Sequence, residues 1–239
     1  YSSRPGAPIS DDTNIALRIV GANGNVGNEI TVNTVTAGLQ IDPKIASNGQ
    51  NLFMSWWDQT TQDVRGQILT LSGAKIGNEF SIPSTTVGDA GRPRVEAFAS
   101  GNYIVVWEAI NADGADASNG SARGRLINSS GVAIGNEFVL NSQTSGFQGA
   151  PDVTVMPDDS FFASWFEGSS GYFRWFNSDG TPKASSEIST TFPGSQTDLI
   201  RFDDGRIAAF GIASNLHWLI IDARNGNYDG DDRANQLVS

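Results

Sequence analysis

Short apolar runs separated by Gly, Asn, Asp and Ser make up most of the chain. In NYIVVWEA, alternation puts Tyr103, Val105 and Trp107 on one side of an extended segment and Ile104 and Val106 on the other. In NLFMSWWD, Phe53 and Trp57 oppose Leu52, Met54 and Trp56. These are strand residues at strand lengths, bounded by turn formers, and no stretch carries a convincing helical period. Both faces of such strands are apolar. A sandwich strand usually keeps one face wet, so the pattern predicts small sheets covered on both sides.

The runs recur in phase. IGNEF stands at Ile76–Phe80 and again at Ile134–Phe138, with a looser VGNEI at Val26–Ile30. The motif Glu falls at Glu29, Glu79, Glu137 and Glu187, spaced by 50, 58 and 50 residues. Fourteen residues after the first three come Pro43, Pro93 and Pro151, and fourteen later Trp57, Trp107 and Trp165. Each unit holds four short strands, such as PRVEAF, YIVVWEA, RGRLIN and NEFVLN. Four strands in about 50 residues predict an all-β chain built as a β-propeller. We label the strands A (P-x-V, innermost), B (the Trp strand), C (RGRLI) and D (NEF, outermost). The blades then span about 42–84, 92–141, 150–190 and 197–239, with a partial one over about 1–33 that supplies only C and D. The expectation is a single domain, 1–239, of about five four-stranded antiparallel blades, the first incomplete. Another copy of the chain, in a homo-oligomer, is one way to complete it. IGNEF is expected to close the C–D turn with its Gly and Asn and to open strand D with its Glu and Phe.

The pattern G-x-x-x-G-N-E-F, then T-x-G-x-Q-x-x-P, then Y-I-V-V-W resembles the tandem propeller-type repeats of large secreted bacterial proteins of the RTX and adhesin kind. The resemblance covers residues 15–239. It implies export and a place at the cell surface or in its matrix, and it carries over no catalytic residue.

Composition narrows the partners. Net charge is −11, which repels a phosphate backbone and argues against nucleic-acid binding. No apolar run reaches membrane-spanning length. The chain opens at Tyr1 without a signal-like apolar segment, as a processed form would. There is no Cys, so disulfides and thiolate chemistry are excluded, and a single His, His217 in LHWLII, is expected in a strand rather than at a catalytic centre. Three Lys among many Asn, Ser, Thr and Gly suit an exported bacterial protein.

Candidate chemistry lies where the copies differ. The repeated Glu is expected to build blades, pairing with a repeat Arg such as Arg65 or Arg123, and the repeated Trp to pack between blades. The 58-residue spacing marks an insertion at Ala109–Gly120 between strands B and C. B–C and D–A connections emerge at one end of a propeller, so Asp58, Glu108, Asp113, Asp116 and Glu167 are expected on one loop-rich face, suited to sugar hydroxyls or a hard cation. Asp63 joins that face, with Asp42, Asp89 and Gln148 from D–A loops. A second departure, DARNGNYDGDD, places Asn225, Asn227 and Asp229 before Gly230 like the start of a calcium loop, with Asp231 beside them. Its twelfth position is Gln236, not the Glu of an EF-hand. Calcium is the one cofactor these residues suggest. Three functions follow as expectations: a non-catalytic module binding glycan or another cell-surface ligand, a polysaccharide-acting enzyme using face carboxylates, or a structural repeat.

Overall fold

A computed structural model of the 239-residue chain describes residues 12–85, 88–117, 119–183, 187–190, 197–212 and 216–222. All its regular structure is antiparallel sheet. Strands β1 (Ala16–Leu17) and β2 (Ile30–Thr31) pair as a two-stranded half-blade. Blade 1 is β3 (Gln40–Ser47), β4 (Asn51–Asp58), β5 (Asp63–Thr70) and β6 (Lys75–Ser81). Blade 2 is β7 (Asp89–Ala97), β8 (Tyr103–Ile110), β9 (Ser121–Ile127) and β10 (Ala133–Val139). Blade 3 is β11 (Gln148–Val155), β12 (Phe161–Glu167), β13 (Ser170–Phe176) and β14 (Ile188–Thr190). Blade 4 is β15 (Thr197–Arg201), β16 (Arg206–Ile212) and β17 (Leu216–Asp222) among the described residues. Each sheet runs in sequence order, A to D, and the A strands converge: Arg94 of blade 2 reaches Asp42, Asp152 and Asp198 of blades 1, 3 and 4. Sheets radiating from a shared axis in this way make a β-propeller. No helix among the described residues is long and apolar enough to cross a membrane.

The cores lie between blades, which is why both strand faces are apolar. Phe53, Val64 and Ile68 of blade 1 pack on Val95, Val105 and Trp107 of blade 2. Ile104, Val106 and Leu126 on the other side of blade 2 pack on Val153, Phe161 and Trp165 of blade 3. The half-blade covers the remaining side of blade 1, joining Ile15 and Val32 to Met54, Trp56 and Leu69.

Two details differ from the sequence reading. The repeat Trp of blade 1 is Trp56, not Trp57. Trp56, Trp107 and Trp165 are each 1% exposed and lie opposite the same bulge in strand A, whereas Trp57 is half-buried. The cause is a hairpin one residue shorter: four residues separate the paired Ser47 and Leu52, but five separate Ala97 from Tyr103 and Val155 from Phe161. Secondly, GNE lies within strand D rather than at its start. The ladder skips there, between Ile76–Ile68 and Phe80–Gly66 in blade 1 and between Ile134–Leu126 and Phe138–Gly124 in blade 2. Gly77 and Gly135 take φ of 68° and 71° at this bulge, a left-handed conformation that glycine adopts without penalty.

The bulge aims the repeated Glu across to the preceding blade. Glu79 pairs with Arg65 at 3.1 Å and accepts the N–H groups of Thr34 and Val35, in the loop before blade 1. Glu137 pairs with Arg123 and accepts the Ser84 N–H at 2.6 Å, and Glu187 accepts the Ser142 N–H. The expected Glu–Arg pair is therefore present, with an added role: the Glu staples each blade to the loop behind it.

A cleft between blades 1 and 2

The D–A loops follow one plan in two places. Asn33 accepts the Ile15 N–H, and its amide donates to Val35 O and Gln40 Oε1, while Gln40 donates to Ala37 O. Between blades 2 and 3, Asn141 accepts the Ala122 N–H and donates to Gln143 O and Gln148 Oε1, while Gln148 donates to Ser145 O. Each loop is thus filled by two buried side-chain amides whose hydrogen bonds are met. Between blades 1 and 2 the same positions hold Pro83 and Ala90. Neither side chain can donate or fill the loop, and a cavity of about 310 Å³ occupies this place.

Polar groups surround the cavity. Asp58, Thr61, Gln62 and Asp63 come from the B–C turn of blade 1, and Arg65 and Ser81 from its outer strands. Blade 2 contributes Trp107 and Glu137, and its insertion contributes Ala109 and Ala112. The turn is held open by Gln62, whose φ is 55° and whose carbonyl accepts the Ala90 N–H at 2.8 Å. Gly88, at φ 83°, lets the loop pass the insertion, since a Cβ there would stand 2.4 Å from Ile110 O. Asp63 accepts from Ser81 Oγ at 3.0 Å and pairs with Arg65 at 3.3 Å. Burial nonetheless pushes the Asp63 carboxyl above its ordinary range, against the pull of those partners. Arg65 keeps a buried Nε–H without a hydrogen-bond partner; at the rim Gln62 is half-buried and Thr61 is exposed.

The five face carboxylates do sit at the end where B–C and D–A connections emerge, as the pairs Gln40–Asp58 and Gln148–Glu167 show. They do not converge. Asp58 lines the cleft but is 4% exposed and spends its Oδ1 on the Thr60 and Thr61 N–H groups. Glu108 turns to blade 3, accepting the Ala150 N–H at 2.9 Å. Asp116 is 1% exposed and bonds Asn141 at 2.6 Å. Asp113 is exposed, and its carbonyl receives Arg123. Glu167 stands half-buried at the end of blade 3. The insertion is therefore pinned by Arg123 and Asn141, and it lends the cleft Ala109 and Ala112 rather than its acids. Asn225, Asn227, Asp229 and Asp231 lie outside the described residues, as does the His217 side chain. Among the described residues no group of three or more acidic or His side chains is placed to hold a metal ion.

A second polar centre lies on the axis. The residue before each repeat Pro, Asp42, Arg92 or Ala150, has φ of 53°, 52° or 44°. This conformation costs about 1–2 kcal/mol in a residue with a Cβ, and it recurs because the bulge it makes turns the following residues to the axis. There Arg94 stands 3.6 Å from Asp152, 3.8 Å from Asp198 and 3.9 Å from Asp42. Asp152 accepts the Leu199 N–H at 2.6 Å, and burial pushes its carboxyl up to about 7 despite that bond and the Arg94 charge. The sequence reading passed over this centre, although its signal was present: Lys44, Arg94 and Asp152 directly follow the three repeat prolines.

No protein-family model matches the chain, and no curated protein matches it in sequence. Solved structures do match. What they share is the propeller. An exo-β-1,3-galactanase from Phanerochaete chrysosporium aligns with a TM-score of 0.57 at 9% identity, over 86% of this chain and 52% of that one. Hydrazine synthase from Kuenenia stuttgartiensis gives 0.60 at 12%, over 88% and 58%. The Dos1 propeller gives 0.54 at 11%, over 87% and 50%. The chain thus spans 50–58% of the length of these three. At such identities the likeness is one of fold, and fold alone does not assign an activity.

Proposed function

We propose that the chain is a non-catalytic glycan-binding propeller of a secreted or cell-surface bacterial protein, and that the cleft between blades 1 and 2 is its sugar site. The observation that carries this reading is the loss of the loop-filling amide pair at Pro83 and Ala90, which leaves a cavity lined by hydrogen-bonding groups and Trp107. Saccharides are recognised by carboxylates, amides and guanidinium groups around a small apolar surface. Asp63, Gln62 and Arg65 supply the first, with the Thr61 hydroxyl beside them, and Trp107 and Ala112 the second. The exo-β-1,3-galactanase with β-1,3-galactotriose is a sugar-handling protein on the same fold, which adds support by analogy. The test is a glycan array probed with the full chain, with and without a calcium chelator, followed by titration calorimetry on any hit. Asp63→Asn and Gln62→Gly should each weaken binding at least about tenfold, about 1.4 kcal/mol, with little change in melting temperature. Absence of any glycan signal in both arms rejects the reading.

A polysaccharide-acting enzyme is the alternative, favoured by one observation: axial Asp152 is held protonated up to about neutral pH beside the Asp198 carboxylate, as a general acid must be. Release of reducing ends from a polysaccharide, abolished by Asp152→Asn, would establish it and remove the non-catalytic premise.

A further inference from the structure

The half-blade has strands in the C and D positions only, and among the described residues no strand pairs with the inner edge of β1. Ile15 turns its N–H and C=O toward β2, through Asn33 Oδ1 and the Val32 N–H. By the alternation of an antiparallel ladder, Ala16 turns its own pair toward the opposite edge. That edge borders a groove of about 650 Å³ whose walls are Asn14, Ile15 and Ala16 on one side and Gln40, Ile41 and Asp42 of blade 1 on the other. In blades 1 and 2 the corresponding edge is covered by strand B, where Arg65 faces Trp56 and Arg123 faces Trp107. Alignment of the outer ladders makes Ala16 the counterpart of both arginines.

A second observation concerns the staple. Glu79 and Glu137 are 6% and 8% exposed because each is sunk in the loop of the blade behind it. Their counterpart Glu29 is 58% exposed and, among the described residues, bonds the exposed Arg18 next to β1. Among the described residues, neither the inner edge nor the Glu of the half-blade has the partner that the complete blades give theirs.

We propose that this groove is a docking site for a β-hairpin of the repeat's own A–B type, a P-x-V strand followed by a Trp strand, whose second strand pairs antiparallel with β1. The three complete blades define the occupant: each covers the equivalent edge with such a hairpin, and a bare edge is the template for strand addition. The hairpin's Trp would meet the side of the half-blade facing away from blade 1, as Trp107 and Trp165 do between their own blades.

The experiment titrates the full chain with a synthetic peptide of residues 89–110, the A–B hairpin of blade 2. Saturable one-to-one binding with a rise in melting temperature is expected, and Ala16→Pro, which removes the edge N–H, should abolish it. Register is read separately. The chain has no Cys, so Ala16→Cys should form a disulfide in redox buffer with the Trp107→Cys peptide and not with the Tyr103→Cys peptide, since facing Cα atoms in a ladder lie within disulfide reach. If Ala16→Pro disturbs the fold by circular dichroism, the cross-link decides alone. No binding up to about 1 mM, cross-linking without regard to register, or a dimer in solution whose interface already fills the groove would each overturn the proposal.

Discussion

At the scale of single residues, the repeated Glu shows how one side chain can recur for structural reasons while its surroundings set its worth. Burial alone would raise the Glu79 carboxyl, but the Thr34 and Val35 N–H groups and the Arg65 charge bring it below its usual range. Charge-assisted bonds of this kind are about twice as strong as neutral ones. Glu137 and its partner Arg123 are both buried, with side chains 8% and 3% exposed. Removing one member of such a pair strands the other, so Glu137→Ala should cost about 3–5 kcal/mol. Glu29→Ala removes an exposed pair and should cost no more than about 0.5 kcal/mol. Urea denaturation of the two variants checks this. Equal losses would mean that the staple contributes nothing beyond the local ion pair. Gly66 and Gly124 make a related point: each faces a strand D Phe, and a Cβ at Gly66 would stand 2.5 Å from the Phe53 ring.

At the scale of the element, the D–A loop decides whether a space between blades is filled. Asn33 with Gln40 and Asn141 with Gln148 satisfy their loops internally, and Pro83 with Ala90 do not. The double variant Pro83→Asn with Ala90→Gln should restore the network and fill the cleft. Its melting temperature should rise, and any ligand held by Asp63 and Gln62 should be lost. A variant that gains stability yet still binds would place the ligand elsewhere. Much of this element was legible beforehand. The Glu–Pro–Trp phase marked the repeat unit of four strands, and the T-x-G-x-Q pattern falls in the D–A loop. Its meaning was hidden because the partner of Gln40 is Asn33, seven residues away, and no local rule links two amides across a loop. The Trp phase failed in blade 1 for an equally local reason: a hairpin shortened by one residue leaves Trp57 at the expected spacing while Trp56 takes the buried place. The acids of the insertion were read as free for ligands because sequence cannot show that Arg123 and Asn141 tie that loop down.

At the scale of the whole molecule, the axis couples the blades through charge, and its protonation should be visible in stability. Arg94 belongs to blade 2, Asp152 to blade 3, and Asp42, Leu199 and Asp198 to blades 1 and 4. Asp152 is buried, and its carboxyl is pushed from 3.8 to about 7 in the folded protein. The folded state therefore holds this proton between about pH 4 and about pH 7 while the unfolded chain has released it. Stability from this group is fully present at low pH and declines as pH rises through that window. Asp63 and Glu96, both raised by burial, act in the same direction. Asp158 opposes them: its bonds from Ser160 and Lys183 hold it down to about 2, so its contribution is present above its unfolded value and lost only in strong acid. Between pH 4 and pH 7 the raised group dominates, because Asp158 is already ionised in the fold over that range. Asp152→Asn keeps an acceptor for the Leu199 N–H but cannot ionise. The wild-type melting temperature should therefore fall from pH 5 to pH 7.5 relative to that of Asp152→Asn, and the two curves should run parallel above pH 8. Parallel curves across the whole range would mean that Asp152 is ionised throughout, with Arg94 offsetting its burial. The same result would withdraw the one observation that favours an acid catalyst on the axis.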